Sequence, residues 1–193
     1  MTSIHQVSRI TDNLYLCGLS AVKQQAIDQY NIKCLITATA NEPPIEFPNV
    51  TNLKIEIEDT PSAEIGPHFD KCIEFIEKTS QNGGCTLVHC RAGISRSASI
   101  CIAYMMKTRN MTLKQAYRYV KQRRDIIHPN AGFFRQLIAY EESLYGTTSV
   151  KMVETSCGVY PDVYDPQYQE EIGRRSKPSK YLSNMFNKLF RRK

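Results

Sequence analysis

The residues from His89 to Arg96, His-Cys-Arg-Ala-Gly-Ile-Ser-Arg, put a thiol, two guanidiniums and a glycine within eight positions. A short apolar run, residues 86–89, delivers Cys90, and Arg96 opens an apolar helical stretch over residues 97–107. A loop this short between a strand and a helix can curl until the backbone N–H groups of Arg91, Ala92, Gly93, Ile94, Ser95 and Arg96 face one centre. Gly93 permits the tight backbone that closes such a nest. The ligand that suits it is a tetrahedral dianion, which means phosphate. The field of the helix N-terminus and of Arg96 also favours the thiolate form of Cys90, the nucleophilic one. Arg96 adds a planar fork able to hold two phosphate oxygens. The loop pairs a nucleophile with a grip on the group it would attack.

Other chemistries fit these residues less well. Cys90 as an inert core thiol would leave the coincidence of His89, Cys90, Gly93 and Arg96 within eight residues to chance. Cys85, His89 and Cys90 match no zinc-ligand spacing, and the chain has no GxxxxGK[ST] loop for a nucleotide. Thiolate attack on a phosphoester requires a proton for the departing oxygen. Candidates lie in Glu56-Ile57-Glu58-Asp59-Thr60-Pro61. Strand alternation puts Glu56 and Glu58 on one solvent face and leaves Asp59 as the first loop residue. On the residues alone the three are not separable.

The elements that must position this loop alternate between strand and helix up to residue 146, which predicts an α/β domain. Residues 7–10, 14–17, 33–38, 53–57 and 86–89 read as strands. A helix to about Tyr30 is expected with Ser20 as its cap. Gly66-Pro67 opens another and Gly83-Gly84 closes it. Thr112 and Gln115 form a capping box, and Asn130 caps a last helix ended by Gly146. A mainly parallel central sheet of about five strands, flanked by helices, is the expected fold. Residues 150–153 and 159–164 flank Thr155-Ser156-Cys157-Gly158 as a small hairpin. The chain divides at the sequence level into a catalytic unit over residues 1–146, an extension over 147–168 packed on it, and a tail over 169–193.

The net charge of +6 is local. Eight Lys and Arg and no acid lie from Arg174 onward, leaving 17 basic against 19 acidic side chains before it. A nucleic-acid-binding domain is not indicated. Tyr181, Leu182, Met185, Phe186, Leu189 and Phe190 recur at helical spacing in the basic tail, a pattern suited to an anionic membrane surface or a partner's groove. The opening residues lack a basic and an apolar leader region, and Thr2 stands where myristoylation needs glycine, so neither signal is expected. Seven cysteines without a CxxC pair fit a reducing compartment, cytoplasmic and also nuclear.

His89 to Arg96 resembles the HCxxGxxR signature of the cysteine-based phosphatases, and the fuller HCxAGxSRS form is similar to that of the dual-specificity protein phosphatases. Positions 91, 92, 94 and 95 carry no lysine, unlike the loops of phosphoinositide phosphatases. Ala103-Tyr104-Met105-Met106 and His128-Pro129-Asn130 with Phe133 to Leu137 resemble later segments of the same family. Val150-Lys151-Met152-Val153 and Pro161-Asp162-Val163-Tyr164 look like the extension of a subgroup of small, "atypical" members. The resemblance implies hydrolysis of phosphotyrosine and phosphoserine or phosphothreonine through a phosphocysteine, with no metal or cofactor. It implies that Asp59, 31 positions before Cys90, is the acid, and that Ser97 stabilises the departing thiolate. His89 would orient the loop rather than donate protons. Arg91 would point outward and Asn130 would brace the loop as a helix cap. The implied partner is a phosphoprotein, with a mitogen-activated kinase pathway member as the family-level guess. A phosphate-reading adaptor without turnover is the competing class, and inactive relatives usually lose the Cys, the Arg or the acid, all present here.

Overall fold

The computed structural model describes residues 3–43, 45–155 and 158–164. They fall into two units, one ending at Ser149 and one beginning at Val150. In the first unit the strands are β1 (Ser8–Arg9), β2 (Leu14–Gly18), β3 (Ile32–Ala38), β4 (Thr51–Ile55) and β5 (Cys85–Cys90). The helices are α1 (Gln24–Gln29), α2 (Phe69–Gln81), α3 (Arg96–Arg109), α4 (Leu113–Arg123) and α5 (Ala131–Tyr145). The sheet order is β1-β2-β5-β3-β4, and β1 alone runs antiparallel to its neighbour. This is the α/β domain with a mostly parallel five-stranded sheet that the alternation predicts.

The central place of β5 follows from its composition. A strand covered on both faces needs apolar residues on both, and Leu87 and Val88 are both fully buried. Tyr15, Leu35 and Leu87 are register partners, and they join Ala21, Val22 and Ile27 in one apolar layer beside α1. Leu16, Ile36 and Val88, one residue on, face the opposite side, where α2 and α3 cross the sheet. Helix α3 is buried without interruption from Arg96 to Met106, and α2, α4 and α5 all pack on it. A helix apolar nearly all round belongs at such a centre.

Three differences from the sequence reading stand out. Ser20 does not cap a helix: residues Leu19–Ala21 form a 3-10 turn, α1 starts at Gln24 after Lys23, and Ser20 Oγ instead meets His5 Nδ1 at 2.7 Å. The fourth strand ends at Ile55 rather than residue 57, because its pairing with Cys34–Ala38 sets its length. Gly66–His68 is a 3-10 turn leading into α2. The caps of α4 and α5 are as expected. Thr112 Oγ1 accepts from Gln115 N while Gln115 Oε1 accepts from Thr112 N. Asn130 Oδ1 accepts from Phe133 N, and Gly146 closes α5 at φ +69°.

The second unit carries an antiparallel hairpin of β6 (Met152–Thr155) and β7 (Gly158–Pro161). Cys157 and the whole tail, including Arg174 onward and the apolar residues from Tyr181 to Phe190, lie outside the described residues.

Candidate active site

Strand β5 ends on Cys90 at the carboxyl edge of the sheet, where open α/β sheets place their ligands. After five intervening residues α3 begins at Arg96. The Cys90 thiol is 1% exposed, and its Sγ accepts two hydrogen bonds, from Gly93 N at 3.2 Å and from Ser97 Oγ at 3.1 Å. Both donors stabilise negative charge on sulfur.

The orientation of the loop amides follows from where its carbonyls go. Leu19 N donates to Arg91 O at 3.1 Å, and His128 N donates to Ile94 O at 2.8 Å. Arg124 donates from Nη2 to Ala92 O at 3.2 Å and from Nε to Gly93 O at 2.7 Å. Ser99 donates from both N and Oγ to Ser95 O at 2.9 Å. Each of these carbonyls, 91 through 95, is drawn away from the loop's centre by an outside donor. In a planar trans peptide the next N–H points the opposite way, and no cis bond occurs among the described residues. The amides of residues 92–96 therefore turn inward together. Gly93 at φ +67° makes the central bend.

Arg96 closes the site from the helix side. Its side chain is 9% exposed, its Nη1 donates to Ile57 O at 3.1 Å, and its Nε is buried with no hydrogen-bond partner among the described residues. That donor suits an anionic oxygen. Asp59 faces it, with Oδ2 3.6 Å from Arg96 Nε. The other carboxylate oxygen, Oδ1, accepts from Ser95 Oγ at 2.6 Å and from Asn130 Nδ2 at 2.9 Å. Ser95 Oγ in turn accepts from Asn130 N at 3.2 Å. Glu56 and Glu58 are exposed, and Glu56 pairs with Lys54 at 3.1 Å. Of the three acids that the sequence left open, Asp59 is the one beside Arg96.

His89 is buried on β5, with Nε2 2.8 Å from Oγ1 of Thr37, its register partner on β3. Burial pushes its pKa down to about 4, against a smaller opposing pull from the backbone of Cys90. It is a neutral imidazole fixed in the sheet. Arg91 is exposed while its carbonyl holds Leu19. Burial pushes the thiols of Cys85 and Cys101 upward, so neither is a ready thiolate partner for Cys90. Among the described residues no cluster of three His, Cys, Asp or Glu is arranged for a metal.

Two residues of this arrangement escape a reading of the sequence. Thr37 is one hydroxyl in an apolar strand. Arg124 is one of several cations near the end of α4, and its contacts lie 31 or more residues away along the chain.

A cysteine-bearing loop of inward amides, delivered by the central strand of an α/β domain, is the architecture of a cysteine-dependent phosphatase. The catalytic domain of dual specificity phosphatases matches residues 14–143, and the chain belongs to that family. It is 44% identical over 162 residues to human dual specificity protein phosphatase 14, covering 83% of this chain and 82% of that one. It is 35% identical to human dual specificity protein phosphatase 21, covering 84% and 86% of the two chains. Among solved structures, the human tyrosine phosphatase-like serine/threonine/tyrosine-interacting protein superposes with a TM-score of 0.68 at 36% identity, over 73% of this chain and 98% of the other. Human DUSP28 superposes with a TM-score of 0.69 at 29% identity, over 72% and 94%. The chain is an enzyme, a dual-specificity protein phosphatase acting on phosphoproteins. No helix among the described residues is long and apolar enough to cross a membrane.

Proposed function

We propose that Cys90 is the nucleophile and Asp59 the general acid of a two-step phosphoryl transfer. Cys90 Sγ attacks phosphorus in line, the P–O bond to the substrate side chain breaks, and Asp59 protonates the departing oxygen. Asp59 Oδ1 is taken up by Ser95 and Asn130, which leaves Oδ2 to carry the proton. In the second step Asp59 takes a proton from water as that water displaces the cysteine sulfur. Ser97 Oγ, 3.1 Å from Sγ, supports the returning thiolate. The loop amides and Arg96 hold the equatorial oxygens throughout. Asn130 braces the acid, and His89 orients the strand end.

The observation that carries this reading is the convergence of Gly93 N–H and Ser97 O–H on Cys90 Sγ, with Arg96 and Asp59 alongside. All three residues whose loss would favour a non-hydrolytic adaptor are present. The substrate we infer is a phosphorylated signalling kinase of a mitogen-activated cascade, met in the cytoplasm and nucleus. Residues 147–168 extend the catalytic unit, and the basic tail from 169 to 193 contacts an anionic membrane or a partner. Substrate trapping tests the assignment. Asp59→Ala and Cys90→Ser proteins should retain phosphoproteins from a lysate that orthovanadate releases, and Cys90→Ser protein with wild-type turnover would refute it.

A further inference from the structure

Arg124 is fully buried, and its four described hydrogen bonds all end on uncharged oxygens. Nη1 donates to Gln6 O at 3.0 Å and Ser8 Oγ at 3.2 Å, which ties the guanidinium to the N-terminal strand. Nε and Nη2 take the carbonyls of Gly93 and Ala92. A buried cation with no anionic acceptor among these partners is costly unless the surroundings use its charge. Its neighbour Arg123 has the opposite fate, lying over the Tyr119 ring on the exposed face of α4.

The two carbonyls that Arg124 holds are the vulnerable ones. Those of Arg91, Ile94 and Ser95 are held by backbone donors of neighbouring segments. The peptides on either side of Gly93 flank a glycine at φ +67°, and glycine tolerates either orientation of such a peptide. A flip there would aim a carbonyl at the phosphate and remove an amide from it. The loop also backs tightly onto the guanidinium: a Cβ at position 93 would lie 2.7 Å from Arg124 Nη2 and 2.5 Å from the Cys17 carbonyl.

We propose that Arg124 is a positioning residue for phosphoryl transfer, a guanidinium behind the loop that keeps the amides of Gly93 and Ile94 aimed at the phosphate by holding the carbonyls of Ala92 and Gly93 turned away. The inference rests on Cys90 as nucleophile.

The test compares Arg124→Met and Arg124→Lys in the full chain, with Cys90→Ser as control. Orthovanadate affinity and the ratio of Cys90 alkylation by iodoacetate to that by neutral iodoacetamide report on the nest. In folded Arg124→Met protein, kcat/KM should fall about 100-fold, as when an oxyanion donor is lost. Orthovanadate affinity and the iodoacetate preference should fall with it, and Arg124→Lys should recover part of each. Unchanged affinity and unchanged alkylation ratio in folded Arg124→Met protein would overturn the proposal. If neither variant melts cooperatively, the unsubstituted protein decides. Its Gly93 and Ile94 amide resonances must shift on adding orthovanadate, and silence at both would overturn the proposal equally. Failure of the Cys90 reading looks different: it leaves Cys90→Ser active whatever Arg124 does.

Discussion

Cys90 and its loop are fixed by the central strand, by α3 and by a set of outside donors, whereas Asp59, on the loop after β4, is held by Ser95 Oγ and Asn130 Nδ2 and stays 25% exposed at its side chain. The half that carries the proposed nucleophile is part of the core. The half that carries the proposed acid is attached to it through side chains that can be removed one at a time. Damage to the first should abolish phosphate binding and chemistry together. Damage to the second should leave phosphate bound and affect leaving-group protonation.

The largest effect belongs to the core half. Arg96→Lys should cost about 1000-fold in kcat/KM on a phosphotyrosine peptide, because an ammonium cannot span two equatorial oxygens. Acid should also strike this half first. His89 and His128 both have pKa values pushed down to about 4 from 6.5, mainly by burial. Between those values the unfolded chain binds more protons than the folded one. Stability present above pH 6.5 is therefore lost as pH falls through 4, on the order of 3 kcal/mol per imidazole. Urea melts at pH 7.5 and 5 should show the loss, and equal midpoints would contradict it.

The acid half gives smaller and more selective effects. Asp59→Ala should lower kcat about 100-fold on a phosphoserine peptide. It should cost much less on p-nitrophenyl phosphate, whose leaving group needs little protonation. Equal losses on both substrates would erase the distinction between the halves. Asn130 allows a finer cut, since it caps α5 through Oδ1 and reaches Asp59 through Nδ2. Asn130→Ser keeps a good N-cap residue and deletes the second contact. Stability should hold while kcat on phosphoserine falls about fivefold, the worth of one ordinary hydrogen bond. Asn130→Ala should add a loss of about 1 kcal/mol in stability.

The same contrast governs what the sequence makes legible. The phosphate loop is contiguous, so Cys90, Gly93, Arg96 and Ser97 stand together and the strand-loop-helix reading follows. The capping box of α4 and the Asn130 cap are local too, each closing over three residues. Contacts between distant segments leave no such trace. Nothing in Lys121, Arg123 and Arg124 marks the last as the buried one, because its partners are Gln6, Ser8 and the loop carbonyls of Ala92 and Gly93. Ser20 fits the pattern of a helix cap but bonds to His5, 15 residues earlier. The proposed acid lies between these cases: in the sequence, three carboxylates within four residues are separated only by family resemblance, and Asp59's contact with Asn130 spans 71 residues.

Passage of phosphorus through the Cys90 sulfur, as proposed, leaves a trace that can be caught on the protein. Ser97→Ala protein should break down its intermediate slowly, because the returning thiolate loses its hydroxyl donor. Quenched during turnover and digested, it should yield the peptide bearing Cys90 with one added phosphoryl group. A phosphoryl group on any other residue, or none at Cys90 while turnover continues, would contradict the account.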